Sequence, residues 1–95
     1  MIGTTFNEFY EKLYYGTDIE MVYNGENYTI TSANCEDGMH NIYAYICYKD
    51  ACSDFLYNEY TENREESVNK FLNAKIFNNQ SFLEIESKVQ IDFMA

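Results

Sequence analysis

The sequence contains no proline and only four glycines among its 95 residues. That scarcity leaves no stretch that reads as a linker, a low-complexity tract or an internal repeat, and residues 1–95 are expected to fold as a single domain. It also leaves no glycine-rich phosphate loop, so nucleotide binding has no support. No apolar run approaches the ~20 residues that a membrane-spanning helix needs. Basic side chains are equally scarce, six Lys and Arg against sixteen Asp and Glu, for a formal net charge of -10. Such a surface repels nucleic acid and anionic lipid, which disfavours direct DNA, RNA or membrane binding and makes a basic protein the natural partner. Solubility is the plain alternative reason for the same charge. The three cysteines, Cys35, Cys47 and Cys52, are odd in number and accompanied by no apolar leader segment. They point to free thiols in a reducing cytoplasm.

What is present is globular in character: 46% hydrophobic residues, with ten Tyr and seven Phe. A chain of this length buries somewhat over ~60% of its unfolded surface, enough for one modest core and too little for a roomy enclosed active site. Thr5-x-x-Glu8 has the form of a capping box. Phe6, Phe9, Tyr10, Leu13 and Tyr14 then follow the spacing of one helical face up to Gly16, which predicts a short helix over about residues 5–15. Asn24-Gly25 is the dipeptide best suited to a two-residue type I′ turn. With Tyr23 and Glu26 flanking it, Met21 faces Tyr28 and Ile19 faces Ile30 on an apolar side, while Glu20 faces Thr29 and Asp18 faces Thr31 on the other.

Residues 33–39 read as a turn or loop. The segment "HNIYAYICYK" is a third strand, with Ile42, Ala44 and Ile46 inward and Tyr43, Tyr45 and Cys47 on the opposite side. The segment "DFLYNEY", residues 54–60, is a fourth strand candidate. Asn63-x-x-Glu66 caps a helix that carries Val68, Phe71, Leu72, Lys75 and Ile76 on one face, and Ser81-x-x-Glu84 caps a shorter one with Phe82, Ile85 and Val89 inward. Val89, Ile91 and Phe93 alternate and form a short edge strand in the other reading. The expected fold is α+β: a short N-terminal helix, a three- to four-stranded antiparallel meander, and two C-terminal helices packed on one sheet face.

Chemistry-bearing patterns are sparse. Cys35, His40, Cys47 and Cys52 supply soft or borderline ligands, but their spacing matches no short-knuckle zinc motif, and no metal or other cofactor is expected. Cys35 with the single histidine, His40, forms a nucleophile and base pair on paper. The acidic surroundings raise a thiol pKa instead of lowering it, and no enzymatic role is expected. The carboxylates are scattered over strand faces and helix starts, unlike the few convergent acids of a glycosidase or metal-dependent nuclease.

The arrangement of charge remains. Residues 1–48 hold seven acids and one lysine, and residues 50–66 hold Asp50, Asp54, Glu59, Glu62, Glu65 and Glu66 against Arg64 alone. Alternate strand positions lie about 6.6 Å apart, helical i, i+4 pairs about 5 to 6 Å, and a nucleic-acid strand advances about 3.4 Å per nucleotide. Carboxylates at these intervals approximate every second phosphate. Tyr43, Tyr45, Tyr57 and Tyr60 add flat amphipathic area of the kind interfaces favour, with ordinary packing as the alternative use.

A short N-terminal helix, a β-meander, the segment "TENREESVNKFLNAKIFNNQSF" and an acidic tail together resemble the small acidic anti-CRISPR proteins of phages and prophages of low-GC Gram-positive bacteria. The likeness is one of size, element order and charge. It implies a non-enzymatic inhibitor in the cytoplasm of a bacterial host that occupies the site by which a Cas nuclease grips DNA. Asp18, Glu20, Asp50, Asp54, Glu59, Glu62, Glu65 or Glu66 would then pair with the partner's arginines and lysines. An accessory or adaptor domain of a mobile element, acidic only for solubility, whose interface is the sheet face bearing Tyr43 and Tyr45 or an oligomer contact, is the alternative.

Overall fold

Local signals govern the N-terminal half. In a computed structural model, which describes all 95 residues, helix α1 spans Phe6–Tyr15. The Thr5 hydroxyl accepts a hydrogen bond from the Glu8 amide at its start, and the Gly16 amide donates to the Lys12 carbonyl at its end. Strands β1 (Thr17–Tyr23) and β2 (Glu26–Asn34) form the hairpin in the expected register, with Ile19 opposite Ile30, Met21 opposite Tyr28, Glu20 opposite Thr29 and Asp18 opposite Thr31. Asn24 and Gly25 have φ of 52° and 80°, as a type I′ turn demands. Strand β3 (His40–Cys47) pairs with β2, and β4 (Tyr57–Thr61) with β3. The meander is thus four strands long.

The C-terminal third departs from expectation. Helix α2 spans Arg64–Asn73 under an Asn63 cap, but Ala74 turns extended (φ -72°, ψ 137°), so Lys75 and Ile76 lie beyond it. Asn78 and Asn79 at positive φ close a tight turn that brings Phe77 against Gln80, and Phe77 is fully buried. The second helix is a single turn, α3 (Phe82–Ile85), inside a complete Ser81–Glu84 capping box, and continues only as a 3-10 turn over Glu86–Lys88. The chain then enters a fifth strand, β5 (Gln90–Met94), antiparallel to β1. The sheet order is β4-β3-β2-β1-β5, which puts β2 at its centre. The strand reading of the tail is the one the structure takes, but Val89 lies just before β5, Phe93 does not share the buried side of Ile91, and β1 supplies the partner edge from far away in sequence.

All three helices contribute to one layer on one sheet face. Phe9 of α1 stacks on Phe82 of α3 at 4.4 Å, and Phe71 of α2 meets both Tyr57 and Phe77 edge-on. Ile19, Met21, Tyr28, Ile30, Ile42 and Ala44 floor this core. Ile2 bridges Gln90 and extends the β5 side, and a Cβ on Gly3 (φ 98°) would collide with the Ile91 carbonyl, so only glycine lets the N-terminal segment lie this close to β5. No helix is long and apolar enough to cross a membrane.

Candidate functional site

The sheet face that the helices leave uncovered is built from alternate strand positions, and the register arranges these in rows. Tyr45, Thr29, Glu20 and Phe93 cross the sheet in one row, and Asn58, Tyr43, Thr31 and Asp18 in the next. Strand β3 therefore contributes two phenols, β2 two hydroxyls and β1 two carboxylates. The Tyr43 and Tyr45 rings lie nearly parallel at 6.3 Å. Phe55, from the β3–β4 connection, packs against them at 5.2 and 6.3 Å. The Thr31 hydroxyl donates to Asp18 Oδ1 at 2.9 Å, which fixes that carboxylate in the plane of the face. Partial desolvation raises the Tyr45 pKa, with Cys47 adding to the effect and the Thr29 hydrogen bond opposing it. Its hydroxyl is a neutral hydrogen-bonding group at physiological pH.

A groove of about 380 Å³ opens at the turn end of this face, with Glu20, Asn27, Thr29, Cys47, Lys49 and Asp92 among its walls. None of the five strands contains a Lys or Arg. Lys49 is the one cation at the groove. On the helical side two lysines sit in exposed ion pairs, Lys70 with Glu59 at 3.8 Å and Lys75 with Glu84. Arg64 lies over the Tyr14 and Tyr15 rings.

The ten acids and tyrosines singled out from sequence do not form one surface. Asp18, Glu20, Tyr43 and Tyr45 share the uncovered face. Asp50 and Asp54 lie in the β3–β4 connection. Glu59 is opposite Ile42, a core residue, so its side chain is directed to the helical side, where it meets Lys70. Glu62 precedes α2, and Glu65 and Glu66 occupy its first turn, where carboxylates complement the helix dipole. Tyr57 is a core-side residue whose phenol is pushed up to about 12 by burial and by the Glu59 carboxylate.

Three contributors to the face were missed. Phe55 lay inside the predicted strand of residues 54–60, but β4 begins only at Tyr57, which frees Phe55 to fold over the tyrosines. Asp92 and Phe93 reach the open side because the β1–β5 register shifts between Glu20 and Met21, placing Phe93 opposite Glu20 instead of in the core. The four potential soft ligands do not come together as one group. His40 is buried on the helical side with Nδ1 2.8 Å from the Ser67 hydroxyl, Cys35 begins the turn before β3, and Cys47 and Cys52 lie together across the next turn. No three His, Cys, Asp or Glu side chains converge as a metal-binding group. No protein-family model matches the chain, and comparison with the curated proteins and with the solved structures gives no match.

Proposed function

We propose that the uncovered sheet face docks on a basic protein, and that the chain acts without catalysis as an acidic inhibitor occupying the nucleic-acid-binding surface of a DNA-handling defence protein, such as a Cas nuclease. The observation that carries this reading is a cation-free strand surface on which Asp18 and Glu20 alternate beside an aromatic cluster. Their spacing of about 6.6 Å is close to two nucleotide steps of about 3.4 Å each. Guanidinium and ammonium groups spaced for phosphates would meet these carboxylates, while Tyr43, Tyr45 and Phe55 supply flat contact area.

The test is capture of the partner from host lysate followed by competition with duplex DNA and a salt series. The D18K/E20K double variant should weaken binding about tenfold or more, a loss of about 1.4 kcal/mol, and wild-type affinity should fall steeply with ionic strength. A partner that binds DNA normally while holding this protein would exclude mimicry.

The Tyr43–Tyr45–Phe55 cluster, with Phe93 half exposed on the same face, favours a second reading as an adaptor with an aromatic interface. Affinity would then be nearly indifferent to salt and lost on F55A or Y43A, with the D18K/E20K variant unaffected.

A further inference from the structure

The turn that follows β3 holds two thiols in a geometry that the proposed docking role does not use. Cys47 and Cys52 are opposite each other in an antiparallel bridge. The Tyr48 amide donates to the Ala51 carbonyl at 2.7 Å and the Ser53 amide to the Ile46 carbonyl at 2.8 Å, one bond on each side of the two cysteines. They therefore occupy a non-hydrogen-bonded cross-strand position, where facing Cα atoms approach to about 4.5 Å and side chains lie closest. That spacing falls inside the range a disulfide spans, about 4.4 to 6.8 Å. The sulfurs themselves are 3.9 Å apart. Cys52 is exposed and Cys47 half-buried, whereas Cys35 lies at the other end of β3, before its first residue.

We propose that Cys47 and Cys52 are a reversible dithiol–disulfide pair that closes the Tyr48–Ala51 turn by exchange with a low-molecular-weight disulfide. The exposed Cys52 thiolate attacks one sulfur of the small disulfide, forming a mixed disulfide and releasing the first small thiolate. Cys47, deprotonated, then attacks the Cys52 sulfur, forms the intramolecular S–S bond and releases the second. Two protein thiols lose two protons and two electrons, and the small disulfide leaves as two thiols, so the exchange balances without further reagents. The Thr29 hydroxyl, 3.1 Å from Cys47 Sγ, is placed to donate to the attacking thiolate. The Cys52 pKa is raised, by desolvation first and by Cys47 second, so exchange accelerates as the pH rises above neutral. Closure ties down the turn that carries Lys49, the one cation of the groove, whatever docks on the sheet.

The experiment incubates the reduced full chain with glutathione disulfide and follows intact mass and thiol count. Expected is a monomer lighter by about two mass units, with one alkylatable thiol remaining of the original three and that thiol mapping to Cys35. Dithiothreitol should restore all three. C35S should oxidise as the wild type does, and C47S should stop at a glutathione adduct on Cys52. The proposal fails if the wild type retains glutathione on Cys52 with Cys47 still alkylatable, or if oxidation gives only disulfide-linked dimers. Mass and peptide mapping on the wild type decide the matter even where a variant folds poorly.

Discussion

At His40 a titratable ring is enclosed between the sheet and the N-terminal part of α2, 1% exposed, with Nδ1 held by the Ser67 hydroxyl and no well-formed hydrogen bond at Nε2. Burial lowers its pKa below the ordinary 6.5, the nearby Arg64 charge lowers it further, and the Leu13 carbonyl only partly opposes them. Protonation is thus disfavoured in the folded state relative to the unfolded one. The contribution of neutral His40 is fully present above the unfolded value near 6.5, and is lost as the pH falls from there toward the lowered folded value. The urea midpoint should accordingly drop on acidification through this window, and H40Q should flatten the drop. A wild-type midpoint that held steady or rose as the pH was lowered from 7.5 would contradict the assignment. The sequence could mark His40 only as the one imidazole near Cys35. Its partner, Ser67, is 27 residues away, and no local pattern pairs a β3 residue with a helix face.

Elements that depend on near neighbours were legible, and those that depend on distant ones were not. The β1–β2 hairpin was readable down to its register because two positive-φ residues set the turn and the period of two does the rest. The same logic found the Asn63 and Ser81 caps. Extending α2 through Lys75 and Ile76 failed because a helical period says which face is apolar but not where tertiary contacts draw the chain away. Here Phe77 enters the core beside Phe71 and Phe82. Helix α3 has only four residues, too few to be stable without its cap and its packing. Replacing Ser81 by Ala removes the acceptor for the Glu84 amide and should destabilise the fold by about 1 kcal/mol, measured by urea unfolding. A change within error would show that Phe82 and Ile85 hold this turn unaided.

For the whole molecule the governing quantity is charge. A net -10 is spread over a body with a radius of gyration of 12.5 Å, and its Lys–Glu ion pairs are exposed and worth little. Raising the salt from about 0.01 to 0.1 M shortens the screening length from about 30 to about 10 Å, from well beyond the 12.5 Å radius of gyration to just below it. Self-repulsion should therefore relax, and Tm should rise by several degrees in a thermal melt. A fall in Tm would show that local ion pairs outweigh the global repulsion. Composition determined that charge, and residue type with short-range period determined the β1–β2 hairpin, strand β3 and the segregation of Asp18 and Glu20 from Ile19 and Met21, while residues 54–60 were a strand candidate that the tertiary structure completed as β4. Only the tertiary structure decided that β5 returns to β1, that a register shift turns Phe93 outward, and that Glu59 and the α2 acids are set apart from the uncovered face. Those outcomes depend on which distant edge is free to pair and which face the helices cover, and contacts between residues far apart in the chain leave no periodicity for the sequence to show.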